Sequence, residues 1–410
     1  MNYRYIYLLL FILPALLPTR ATAQRGINSL YSSFGIGTIA SRDYSRNFGT
    51  GGAGIARSSL FYLNELNPAS YYAIPQKHFI LDAAIAGQSV NYQSNAVKQN
   101  GLDFNFKRLA IGFKANRRWG ISAGITPFST VDYKLANTRY IEGTTKPVTN
   151  NQEGTGGINR VFISNGVQLT KNLSVGVSTA FLFGPVNASE TLGDDSIHTN
   201  YNRYAFNTNF TAGMQYTGKI KDWEVGLGLT YRFRTNLTMQ QHTTITNNDQ
   251  TVLFDKKLPD QVFRLPEQYG AGLSFANGNI TWVFDYRRQL WGSVKNVETD
   301  YRYTDADRFA GGLEYSFKRT YRNGIVEGAV LQAGFAYDRT NLVIKGNQIK
   351  DVSGTVGVSL PNRGGNLRYY LGLEVGQRGT TASGLIRENY INAVFHFSLR
   401  DMWFIRRVYD

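Results

Sequence analysis

The chain of 410 residues contains no cysteine and only four histidines, His78, His198, His242 and His396. Without thiols there is no disulfide scaffold, no thiolate metal site and no N-terminal lipoprotein anchor. The histidines are scattered, with no His-x-Glu or His-x-x-x-His spacing, so no metal centre and no cofactor are expected. Charged residues make up only 18% of the chain against 42% hydrophobic, a balance that excludes a disordered polymer. Past residue 23 no apolar run approaches the roughly 20 residues a spanning helix needs. Any membrane must then be crossed by strands. What the chain does have is Gly (42), Tyr (26) and Phe (25), the composition of strands and turns and not of a helical bundle. Its net charge of +15 points to anionic surroundings without naming a partner.

The first stretch is an address. Arg4 precedes the apolar run Ile6 to Leu17, and Ala21-Thr22-Ala23 is a small-x-small cleavage site. Residues 1–23 therefore read as a secretory signal peptide.

From His78 onward the chain alternates with period two. Trp223, Val225, Leu227, Leu229, Tyr231 and Phe233 share one face, opposite Glu224, Gly226, Gly228, Thr230, Arg232 and Arg234. Ile280, Trp282, Phe284 and Tyr286 repeat the pattern, as do Ile391, Ala393, Phe395, Phe397 and Leu399. A soluble sandwich alternates too. Here, however, the second face is small and polar, and the apolar face recurs too often for one core to bury. Counting by alternation gives about 14 segments, centred from Leu81 to Phe395. Tight turns at Asn116-Arg117-Arg118, Thr170-Lys171-Asn172, Gly218 to Asp222, Asn277-Gly278-Asn279 and Pro361 to Gly365 separate them. Between these lie longer polar links, Lys134 to Thr155, Val186 to Asn202, Gln240 to Leu265 and Gly292 to Asp307. Arg319 to Glu327 fits this rhythm poorly. The expectation is an all-β transmembrane antiparallel β-barrel of about 14 strands over residues 78–399, in an outer membrane with both termini periplasmic.

Residues 24–77 do not alternate. They carry Gly49-Thr50-Gly51-Gly52-Ala53-Gly54 and then Asn67-Pro68-Ala69, small residues suited to close backbone packing inside a barrel. We expect this segment to form a lumenal plug. Gly49-x-Gly51-x-x-Gly54 matches a dinucleotide fingerprint only as a string, since no βαβ unit surrounds it. Gly120-Ile121-Ser122-Ala123-Gly124 matches a nucleophile elbow as a string, but it lies inside an alternating segment and no Ser/His/Asp set assembles around it. No enzyme is expected. Arg232, Arg234, Arg287 and Arg368 point into the lumen or its mouths. They could meet an anionic head group, or pair with Glu224, Asp285, Glu314 and Glu374 on neighbouring strands.

Several longer pieces together resemble the FadL-type outer-membrane transport family, in a Bacteroidota-like form. They are Asn67-Pro68-Ala69, Gly120 to Ser129, Leu265-Pro266-Glu267-Gln268-Tyr269-Gly270-Ala271-Gly272-Leu273, Trp282 to Tyr286 with Trp291, and Leu331 to Asp338. The resemblance implies a 14-stranded barrel with Asn67-Pro68-Ala69 in its plug. It also implies a kink in the third strand that opens a lateral route for hydrophobic ligands. Gly124 and Pro127 lie in that strand, and proline removes a ladder donor.

The function expected is passive uptake of small, fatty-acid-like hydrophobic compounds through a plugged lumen and lateral opening. The alternative is a non-transporting accessory subunit of a secretion or outer-membrane assembly complex. Short loops and the aromatic, basic tail over residues 400–410 favour it, and PorV-type barrels are similar. Expected partners are outer-membrane lipid and lipopolysaccharide, a hydrophobic small molecule, and other envelope proteins. Nucleic acid is not expected.

Overall fold

The computed structural model describes residues 29–402 apart from 95–97, 141–142, 144, 146, 194–196, 296–300 and 322–323. The signal-peptide expectation and most of the tail lie outside these residues. After a two-residue strand β1 (Thr38–Ile39), the barrel begins with β2 (His78–Gln93), β3 (Lys98–Lys114), β4 (Trp119–Pro127) and β5 (Ser129–Tyr140). It continues through β6 (Pro147–Gly156), β7 (Asn159–Gln168), β8 (Leu173–Leu192), β9 (Ile197–Ile220), β10 (Trp223–Arg232) and β11 (Thr235–Asn247). Then come β12 (Val252–Leu265), β13 (Gln268–Asn277), β14 (Ile280–Gln289) and β15 (Tyr301–Tyr303). The last strands are β16 (Ala306–Tyr321), β17 (Gly324–Ile344), β18 (Asn347–Pro361), β19 (Leu367–Gly379) and β20 (Arg387–Met402).

Every pairing is antiparallel, and β2 pairs with both β3 and β20, which closes the sheet. Four barrel strands are each interrupted once, as β4/β5, β6/β7, β10/β11 and β12/β13, and with ten unbroken ones they make fourteen. His78 pairs with Met402, so the barrel's first and last strands start and finish at one end, shared with the tight turns. The opposite end carries the long hairpins.

Alternation supplies the two faces. Tyr216, Leu227, Leu273 and Phe284 form one row across β9, β10, β13 and β14, and all four stand exposed on the outer wall. The opposite parity points inward and is polar: Asp82, Arg108, Glu314, Glu374 and His396 are all buried. A wall apolar outside and charged inside is stable only with lipid outside. Three links read as polar loops are paired strands. Lys134 to Thr155 folds as β5 against β6, Val186 to Asn202 as β8 against β9, and Gln240 to Leu265 as β11 against β12. They project past the apolar belt, where both faces meet water and strict alternation is no longer required. The described residues on either side of 322–323 in this link are likewise strand, with β16 and β17 paired as far as Tyr321 and Gly324.

Candidate functional site

The segment over residues 29–77 packs against the inward face of the wall. Its anchoring begins with a ladder of four glycines facing inward in direct register, Gly120 on β4, Gly166 on β7, Gly176 on β8 and Gly213 on β9. A Cβ at any of them would collide with the stretch Asn67 to Tyr72. The missing side chains let Asn67-Pro68-Ala69 lie directly on the wall. Asn67 is fully buried; its Oδ1 accepts from the Ala69 amide at 3.0 Å and caps the 3-10 turn Pro68–Ala73. Its Nδ2 donates to the carbonyls of Ile55 (3.0 Å), Met214 (3.0 Å) and Leu229 (3.3 Å), tying two parts of the segment to two strands.

Ion pairs complete the attachment. Arg46 donates to Glu314 (2.9 Å) and Glu327 (2.7 Å), and Arg57 donates to Glu314 at 2.8 Å. Arg42 reaches Glu374 (2.6 Å) and Asp351 (3.1 Å). From the wall, Arg108 faces Glu65 (3.2 Å), Asp82 (3.5 Å) and Asp43 (3.6 Å), and donates to the Leu63 carbonyl at 2.7 Å. Burial opposes the charged form of Arg46, but the carboxylates of Glu314 and Glu327 outweigh it and hold the guanidinium protonated well above its ordinary range. Asp285 accepts from the Gly54 amide at 2.7 Å and the Ile55 amide at 3.0 Å. The inward carboxylates Glu314 and Glu374, weighed above as partners for wall arginines, thus serve arginines of the N-terminal segment. Arg42, Arg46 and Arg57 were not singled out by sequence reasoning. The signal was there: Arg42, Arg46 and Arg57 stand in a segment with no strand pattern, against inward-phase carboxylates on β16 to β20.

A second feature lies on the third barrel strand. β4 ends at Pro127, Phe128 stands between, and β5 starts at Ser129. Below the interruption β4 pairs with β3 through Leu109–Lys114 and Gly120–Ile125. Above it β5 pairs with β6, while its other edge takes β1, through Thr38 with Thr130 and Ile39 with Ser129, and the Asp132 amide donates to the Ser32 hydroxyl at 3.0 Å. Residues 98–108 of β3 therefore have no ladder partner on the β5 side among the described residues. The neighbouring strand breaks at the same height, at Gly157 and Ile158; the Ile158 carbonyl accepts from the amides of Phe128 (2.7 Å) and Ser129 (3.0 Å). Gly157 has φ 140°, a conformation that favours glycine. Pro127 is at the interruption. Gly124 is not: it sits three positions earlier in regular register with Ala110 and Phe162.

Thr38, Pro127, Phe128 and Thr130 are among the residues that line a cavity of about 310 Å³. Arg232 and Arg287 line it and Arg234 and Arg368 do not. The Arg232 guanidinium lies 5.9 Å from the Phe128 ring centre and makes no hydrogen bond or ion pair among the described residues. Arg287 donates to the Ser41 carbonyl at 2.6 Å. Arg160, also in the lining, reaches Glu65 at 2.5 Å. Arg234 is exposed on the rim, 3.7 Å from Glu267, and Arg368 is buried against Glu327 at 3.1 Å. Ser122, the centre of the elbow-like string, donates to the Ile111 carbonyl inside the ladder.

The family profile described as BamG matches residues 5–410. No curated protein matches the chain. Among solved structures, the Pseudomonas putida toluene transporter TodX is 16% identical with a TM-score of 0.60, covering 88% of this chain and 98% of that one. A Pseudomonas aeruginosa FadL homologue is 12% identical with a TM-score of 0.62, over 89% and 99%. The monoaromatic hydrocarbon channel CymD is 15% identical with a TM-score of 0.58, over 86% and 96%. At these identities the likeness is one of fold, and it bears out the resemblance drawn from the sequence at that level.

Proposed function

Given that the chain belongs to the BamG family and has the fold of the hydrocarbon channels, we propose that it is an outer-membrane barrel passing small hydrophobic compounds sideways into the outer leaflet. The observation that carries this reading is the cavity whose lining includes Phe128 at the interruption, where β3 and β5 are not laddered together. In this account residues 24–77 are the plug. They block the direct path along the barrel axis, so a ligand entering from the hairpin end leaves through the wall. The hairpin end then faces outward, since short turns belong to the periplasmic side of such barrels. The cavity is small, and Arg232 and Arg287 at its lining favour a compound with a polar or anionic end.

The test is uptake of a toluene-like probe by vesicles containing the purified barrel. Thr130→Trp, which fills the cavity at the interruption, should reduce uptake to the level of protein-free vesicles. Uptake unchanged in a folded Thr130→Trp barrel contradicts the reading.

One observation favours a second reading, an accessory subunit of an envelope complex, PorV-like in a Bacteroidota-like bacterium. The N-terminal segment is held by at least three buried arginine clusters, centred on Arg42, Arg46 and Arg108, more than a movable gate requires. A stable assembly with other envelope proteins after gentle extraction supports it; a monomer from every extraction counts against it.

A further inference from the structure

The outer wall is not uniform around the barrel. Across β17, β18, β19, β20, β2 and β3 the register stacks three outward rows of different chemistry. The lowest is Phe335, Gly354, Val375, Ile391, Ser89 and Leu102, each directly opposite the next. Phe335, Val375, Ile391 and Leu102 are exposed, and an added Cβ at Gly354 would touch nothing, so the row forms an apolar groove. Two residues nearer the hairpin end, about 7 Å along the strands, the row reads Tyr337, Val352, Gln377, Asn389, Asn91 and Asn100. Four of these are amides in adjacent positions.

Two residues further the row is cationic. Arg339 stands directly opposite Lys350, and Arg387 and Lys98 flank Gln93. Lys350 lies one residue beyond the Asp351–Arg378 pair, at the height of Gly379, which pairs with Arg387. Lys98 and Lys350 are exposed, and neither they nor Arg387 has a carboxylate partner among the described residues. The buried Nε of Arg387 has no hydrogen-bond partner. Arg339 is compensated by Asp307 at 3.7 Å, which leaves Lys350, Arg387 and Lys98 as the cations of this row without a carboxylate among the described residues.

We propose that this wall binds a phosphorylated, polyacylated glycolipid of the outer leaflet. The proposal rests on the outer-membrane placement above and is independent of transport. Acyl chains lie in the groove at Gly354, sugar hydroxyls and amide links meet Gln377, Asn389, Asn91 and Asn100, and phosphates meet Lys350, Arg387 and Lys98. The vertical order apolar, neutral polar, cationic is the order of such a lipid from tail to head. An ordinary phospholipid has the charge but no sugar to occupy the amide row.

The test uses the full barrel in mild detergent with lipid A, fully dephosphorylated lipid A and phosphatidylglycerol as probes, read as bound fraction by native mass spectrometry. Wild type should prefer lipid A over both others. Each cation removed should weaken lipid A binding about fivefold, and Lys98→Gln, Lys350→Gln and Arg387→Gln combined on the order of a hundredfold. Lys257→Gln, on another wall, should leave it unchanged. Heat-modified migration on a gel confirms that the variants are folded; if the triple variant is not, Lys350→Gln alone carries the test. Equal binding of dephosphorylated lipid A, or full retention by the variants, overturns the proposal. Equal binding of phosphatidylglycerol overturns the glycolipid assignment. Hydrocarbon uptake should be unaffected by these variants, so failure here leaves the transport reading standing.

Discussion

Arg46 reaches Glu314 at 2.9 Å across the boundary between the N-terminal segment and the barrel wall, although the two are 268 positions apart in the chain. Glu314 also accepts from Arg57 at 2.8 Å and Gln332 at 2.6 Å, so one buried carboxylate holds two guanidinium groups of the segment.

Glu314→Gln leaves Arg57 buried without a carboxylate and Arg46 with Glu327 alone. Breaking such a pair costs about 3–5 kcal/mol. The expected result is a lower unfolding temperature and faster protease cleavage near Ser58 and Ser59. Replacing Arg46, Arg57 and Glu314 together by apolar residues should recover part of the loss.

Gly176→Ala places a methyl group against Pro68 and Ala69, whereas Gly87→Ala meets nothing closer than 3.6 Å. The first should destabilise the barrel by about 1–3 kcal/mol and make a cysteine placed at the buried Ser70 reactive toward maleimide. The second should do neither.

Asn67→Ala removes three side-chain donations to carbonyls and the cap on Ala69. Losing this set of bonds costs about 1–3 kcal/mol, the Ile55 carbonyl keeping its bond from Gln215 at 2.8 Å, and hydrogen exchange at residues 68–73 should rise well above wild type. Asn67→Asp keeps the cap acceptor but cannot donate, so it should resemble the alanine variant.

The hairpin of β11 and β12 carries one pH-sensitive contact. The hydrogen bonds from His242 and then from Thr244 hold the Asp255 carboxyl below its ordinary value. A depressed carboxyl contributes stability above its unfolded pKa and loses it as pH falls through the folded value. Exchange in this hairpin should therefore speed up below about pH 4, and His242→Ala should remove most of that dependence.

The strands were legible because lipid on one side and a polar lumen on the other force period two, and Leu227, Leu273 and Phe284 each centre a strand where alternation puts them. The hairpins of β5/β6, β8/β9 and β11/β12 were not, since above the membrane neither face is compelled to be apolar. Proline at position 127 marked the strand interruption through its missing donor; Gly124 carried no equivalent signal, its lack of a side chain serving the close approach of Ala110. Arg232 and Arg287 read as lumenal and line the cavity, while Arg368 is taken up by Glu327. Pairings such as Arg46 with Glu314 join distant parts of the chain and leave no local pattern.

The central claim is that hydrophobic compounds pass through the cavity at Phe128. An apolar diazirine probe photolysed in outer-membrane vesicles, with adducts mapped by mass spectrometry, tests it directly. The account predicts adducts on Thr38, Pro127, Phe128 and Thr130 that disappear when excess toluene competes. Adducts confined to outer-wall residues such as Leu227, Leu273 and Phe284, with none at the interruption, would contradict it.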